Sequence, residues 1–83
     1  MPIKELQEAR NIRVGIKQST RALMEDRVLK VFIAENADQH VIRRIVEMAQ
    51  GKHVEIIRVP TMRDIGQACQ IDVGAATAVI IKD

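Results

Sequence analysis

Two stretches of this chain, Leu29 to Ala34 and Thr77 to Ile81, are nearly unbroken apolar runs with no polar residue at every second position. A strand that reads this way is covered on both faces, whereas a strand with one wetted face alternates. The requirement for cover on two sides is the strongest constraint in the sequence. It calls for helices above and below a sheet, and the rest of the chain supplies helical patterns between strand-like ones.

Ile3, Leu6 and Ala9 recur at helical spacing, with Pro2 where a first turn tolerates proline. Ile12-Arg13-Val14 is a short β-branched segment interrupted by Gly15 and reads as a brief strand. Lys17 to Asp26 is expected as a second helix that buries Thr20, Leu23 and Met24. Asp38 is suited to capping a third helix with the apolar stripe Val41, Ile42, Ile45, Val46 and Ala49, and Gly51 is its expected stop. Val54 to Val59 is the next strand, closed by Pro60. Thr61-Met62-Arg63-Asp64 has capping-box spacing and opens a helix running to about Cys69. The expectation is an α/β fold, a three-layer α/β/α sandwich around a central mixed sheet of about four strands. Its 83 residues suffice for one domain spanning 1–83.

Several functions are set aside by what the sequence lacks. No apolar run approaches the ~20 residues of a membrane helix, and Met1 to Glu5 has no hydrophobic signal region, so a cytoplasmic protein without membrane contact is expected. Cys69 is the one cysteine, which excludes an internal disulfide. It has no Cys-x-x-Cys partner, and His40 and His53 have no cysteine near them, so neither a nucleophile nor a metal site is expected. Glu25 and Asp26 are adjacent and point apart on a helix. No G-x-G-x-x-G or Walker-type loop occurs. The reading is a non-catalytic protein with no cofactor and no metal. Phe32 is the sole aromatic residue and sits in an apolar run, so bases cannot be stacked on an aromatic platform.

Charge is informative through its distribution. Residues 1–34 hold seven basic and four acidic side chains, for +3, while residues 35–83 hold six and seven, for −1. Ala9 to Met24 carries Arg10, Arg13, Lys17 and Arg21 and no acid. On charge alone this is a solvated helix face. Its setting adds chemistry. Gly15-Ile16-Lys17-Gln18-Ser19-Thr20-Arg21 joins a strand to a helix start, where unpaired, positively polarised N–H groups receive phosphate. Lys17, Gln18 and Arg21 share one face at i, i+3 and i, i+4 spacing. Cations there oppose the helix dipole, at a cost of ~0.3–1 kcal/mol that a polyanion relieves. The Gln18 amide can both donate to and accept from base edges.

A second segment, Ile71-Asp72-Val73-Gly74-Ala75-Ala76, is apolar and small where a loop is usually polar. Ile71 and Val73 either cap the core or, with the small neighbours letting the backbone lie in a groove, meet an unstacked nucleotide.

These two segments, with Thr61-Met62-Arg63-Asp64-Ile65-Gly66-Gln67-Ala68-Cys69 between them, resemble the ribosomal L7Ae/L30e family, especially its short bacterial members. The pairing of Gly-x-Lys-Gln-x-x-Arg with Ile-Asp-Val-Gly-Ala-Ala at this separation is specific, and the resemblance covers nearly the whole chain. It implies a ribosomal or ribosome-associated protein whose partner is structured RNA, a kink-turn built on tandem sheared G·A pairs. A monomer is expected because the exposed sequence shows no second apolar stripe. The resemblance also implies site residues. Lys17, Gln18 and Arg21 would meet the G·A pairs and flanking phosphates, with Gly15 and Ile16 beside them in the RNA-binding segment, and the loop Ile71 to Ala76 would cover the bulged nucleotides through Ile71, Asp72, Val73, Gly74 and Ala75. Archaeal members carry Asn-Glu where this chain has Lys17-Gln18, which implies weaker base reading and stronger phosphate attraction here. Gln67 replaces a common Arg or Lys. Gln70 replaces a usual glycine, costing on the order of 1 kcal/mol if the position is left-handed. The alternative class is a small protein-interaction or regulatory domain of the same fold, with the loop as a protein contact.

Overall fold

A computed structural model of the protein describes residues 3–82; Pro2, placed above at a helix start, lies outside them. The elements run α1 (Lys4–Glu8), β1 (Ile12–Val14), α2 (Ile16–Met24), β2 (Val28–Ala34), α3 (Gln39–Gly51), β3 (Glu55–Val59), α4 (Met62–Ala68) and β4 (Thr77–Ile81). The four strands form one mixed sheet in the order β1-β4-β2-β3. β4 is antiparallel to both neighbours, and β2 and β3 are parallel, joined by the α3 crossover. Helices α2 and α3 pack together on the sheet, while α4, with α1 beside it, packs on β2, β3 and β4. This is the expected three-layer arrangement. Its centre is β2 and β4, where Val31, Phe32, Ile33, Ala34, Ala78 and Val79 are all but inaccessible to solvent.

The expected caps are present at two helix starts. The Asp38 carboxylate accepts from the amides of His40 (2.8 Å) and Val41 (3.4 Å). Thr61 and Asp64 form a reciprocal capping box, with Asp64 N–H donating to Thr61 Oγ1 at 3.1 Å and Thr61 N–H to Asp64 Oδ2 at 3.3 Å.

The helix ends differ from expectation, and in one consistent way. α2, α3 and α4 each close with the paired bonds of a Schellman motif, and the left-handed residue is never glycine. Asp26 (φ 57°), His53 (φ 57°) and Gln70 (φ 61°) occupy that position. Their amides donate to Leu23, Gln50 and Gln67, and those of Arg27, Val54 and Ile71 to Ala22, Ala49 and Gly66. Gly51 is therefore the last helical residue of α3 rather than its stop, two positions ahead of the turn that ends the helix. Likewise α2 stops at Met24, and Asp26 lies beyond it.

Two expected core residues are outside. Met24 is 66% exposed and Leu29 53%. α2 turns Ser19, Ala22 and Leu23 inward instead, with Thr20 half-buried. Leu29 falls at a bulge, where Val28 pairs with Ile81 and Lys30 with Ile80, so the extra residue leaves the ladder and its side chain leaves the core.

Candidate functional site

The antiparallel register of β4 brings the two singled-out segments together. Val14 pairs with Ala78, so the end of β1 meets the start of β4, and Gly15 N–H donates to Thr77 O at 2.9 Å. The first segment turns there into α2, and the second runs straight into β4. Fifty-odd residues apart in sequence, they lie side by side at the end of the sheet where β2 and β3 also finish.

Gly15 takes φ 95°, a conformation that L side chains rarely adopt, and an added Cβ would meet nothing within 4 Å. The backbone there is thus bare as well as sharply turned. Three helices start at this end. α3 and α4 have side-chain caps; among the described residues α2 has none. The amides of Ile16, Lys17 and Gln18 precede the first intrahelical bond, which Ser19 N–H makes to Gly15 O at 3.0 Å. Lys17, Gln18 and Arg21 are exposed, and among the described residues neither cation has an ion-pair partner. Only Lys17 lies in the first turn and opposes the dipole; Arg21, expected to do the same, falls in the last turn of α2, where a cation is favoured. Uncapped amides with an unpaired Lys17 beside them can receive an anion, and Arg21 adds charge one turn further along the same face.

The loop of residues 71–76 is held in place through its backbone. Ala75 N–H donates to Met62 O at 3.0 Å, Ala34 N–H donates to Ala76 O at 2.9 Å, and Ile71 N–H donates to Gly66 O at 3.0 Å. The side chains of Ile71, Asp72 and Val73 are left outside. Val73 is 69% exposed and Ile71 37%, so Val73 does not cap the core. Asp72 and Gly74 are exposed as well, whereas Ala75 is buried and acts as an anchor. Ile16, 45% exposed, adds an apolar side chain from the other segment. The surface therefore combines a cationic half on α2 with an apolar, small-residue half on the loop.

Two residues that shape this surface went unmarked in the sequence. Gly66 lies in α4 against the loop; a Cβ on it would sit 2.1 Å from the Val73 carbonyl oxygen. An isolated glycine within a helical pattern is the signal, because it is disfavoured there unless something packs against it. Asn36 Oδ1 accepts from Met62 N–H at 2.8 Å and so fixes the start of α4 that anchors Ala75. Nothing local announces that role, since the partner is 26 residues away.

His40 and His53 are exposed. Cys69 is a free, half-buried thiol, and burial pushes its pKa up, away from the reactive thiolate. Among the described residues no group of three or more His, Cys, Asp or Glu side chains could hold a metal ion, and no helix is long and apolar enough to cross a membrane.

Residues 2–83 match the family model described as the ribosomal protein L7Ae/L30e/S12e/Gadd45 family. The chain belongs to that family. An RNA-binding protein of Halalkalibacterium halodurans is 39% identical over 82 residues, covering 99% of this chain and 100% of the relative. More distantly, the large ribosomal subunit protein eL8 of Halobacterium salinarum is 26% identical over 83 residues, covering 95% and 69%. The fold of this L7Ae-family chain is also that of the 15.5 kDa RNA-binding protein of Giardia lamblia, with a TM-score of 0.84 at 21% identity, covering 98% of this chain and 68% of that one.

Proposed function

We propose that this protein binds kink-turn RNA and performs no chemistry on it. The observation that carries the reading is the Gly15–Thr77 hydrogen bond, which sets the cationic helix start and the exposed apolar loop edge to edge. A bent RNA helix offers both kinds of partner at once, phosphates along its groove and unstacked nucleotides at its bulge. Lys17, Arg21 and the free amides at the start of α2 take phosphate, Gln18 reads the edges of the sheared G·A pairs, and Ile71 and Val73 cover the bulge. Relatives named as RNA-binding proteins and as a ribosomal protein support RNA as the partner class. We place the protein in the cytoplasm, acting as a monomer in or beside the ribosome.

The test is a titration against a kink-turn and against the same RNA with its G·A pairs replaced by Watson–Crick pairs. Lys17→Ala and Arg21→Ala should each weaken binding and lower the salt-dependence slope by roughly one. Gln18→Ala should erode the preference for the G·A-containing RNA while leaving that slope in place. Equal wild-type affinity for the two RNAs would overturn the kink-turn reading.

A further inference from the structure

Beside β1, along the flank of α2, lies a groove of about 260 Å³ that includes residues outside the site described above. Arg13 reaches it from β1, Gln18 and Arg21 from α2, and Glu25 and Arg27 from the turn that follows. Gln18 and Arg21 belong to the proposed RNA surface, so the groove continues from that surface. From Gln18 to Glu25 it extends about 10 Å along the helix at 1.5 Å per residue, room for about two successive phosphates of one strand.

The groove's charge is lopsided. Three guanidinium groups face one carboxylate, and that carboxylate, on Glu25, is 3.7 Å from Arg27 in a half-exposed pair. Arg13 donates to the Ile12 carbonyl at 2.8 Å, and among the described residues neither it nor Arg21 has an acidic partner. A guanidinium keeps further N–H donors free when one is used, and its planar fork matches a phosphate. An acidic protein surface would satisfy the same charges. Continuity with Gln18 and Arg21 favours the RNA already placed there.

We propose that the sugar–phosphate backbone of a stem flanking the kink lies in this groove, with Arg13 and Arg27 each holding a phosphate. The proposal rests on the RNA reading above and extends the interface from the kink onto a regular stem. Glu25 has a definite role in it: by pairing with Arg27 it weakens the contact.

The experiment compares kink-turn RNAs with long stems and with either stem trimmed to a few base pairs, using the full chain. Arg13→Gln and Arg27→Gln should each weaken binding to the long-stemmed RNA by roughly 3- to 10-fold and lower its salt slope by about one. Both should leave the preference over the Watson–Crick control unchanged, and trimming one of the stems should abolish their effect. Glu25→Gln should tighten binding to the long-stemmed RNA alone, which a merely structural role for these residues does not produce. Unchanged affinity and slope in both arginine variants, with Lys17→Ala still weakening binding, would overturn the groove and leave the kink-turn reading standing. Wild-type protein that binds none of the RNAs overturns both. A polyglutamate peptide bound by the wild type and lost in both arginine variants, with RNA affinity intact, assigns the groove to an acidic protein surface and overturns the proposal.

Discussion

Replacing Gly66 with alanine separates two opposing effects whose sizes are set by the structure. In an exposed helix interior the change stabilises by about 0.5–1 kcal/mol, because alanine loses less backbone entropy. At Gly66 the added methyl would lie 2.1 Å from Val73 O, 3.0 Å from Val73 C and 3.1 Å from Gly74 Cα. Ordinary contact begins near 3.4 Å, so the Val73 carbonyl has to retreat by more than 1 Å. The loop has little freedom to do so. Ile71 N–H is bonded to Gly66 itself and Ala75 N–H to Met62, both at 3.0 Å. Overpacking of this kind costs about 1–3 kcal/mol, and a loop that escapes by breaking one of those bonds loses about 1 kcal/mol more. The expected net destabilisation is about 1–3 kcal/mol, a fall in melting temperature of roughly 5–20 °C for a domain of this size. On the proposed function, affinity for a kink-turn should fall too, because displacing Val73 disturbs the loop half of the proposed surface. Gly51→Ala is the control, since a Cβ there meets nothing within 4 Å; it should stabilise by up to about 1 kcal/mol with RNA binding unchanged. Denaturant unfolding and an RNA titration on both variants suffice. A Gly66→Ala protein as stable as Gly51→Ala and with wild-type affinity would refute the reasoning.

Other outcomes follow from single residues. Gln70→Gly and His53→Gly should each raise stability by about 1 kcal/mol in denaturant unfolding, because φ near +60° penalises a side chain. Ser19→Ala should be neutral or stabilising by up to about 1–2 kcal/mol, because the Ser19 hydroxyl is fully buried with no hydrogen-bond partner among the described residues; a loss of stability would show that the hydroxyl is satisfied in solution. Burial raises the Cys69 pKa in the fold, so the native state keeps a proton that the unfolded chain releases. That contribution is fully present below the unfolded pKa of about 8.5 and is lost as pH rises through the folded value. Native Cys69 should accordingly alkylate more slowly at pH 8 than the unfolded chain, and Cys69→Ala should flatten the alkaline decline of the unfolding midpoint.

Local patterns determined a large share of this protein. Apolar runs at residues 29–34 and 77–81 required a sheet covered on both faces, and that sheet is present. Asp38 and the Thr61–Asp64 box marked two helix starts because a cap is chemistry between residues two or three apart. Gly15, Lys17, Gln18 and Arg21 were legible for the same reason, being one turn and one helical face.

What stayed hidden depends on partners distant in sequence. Leu29 reads as core until the pairing with β4 makes it the extra residue of a bulge. Gly51 reads as a helix stop, but the left-handed position is His53, two residues on, just before the chain leads through Val54 into β3. Gly66 matters only because Val73 comes back against it, and Asn36 only because Met62 does. The groove joining Arg13 to Arg27 likewise exists because β1 packs beside α2. Residue type and spacing determined which elements form and which segment carries the charge. The tertiary structure alone decided which backbones approach within a few ångströms, because that distance is set by packing among elements and not by the chain between them.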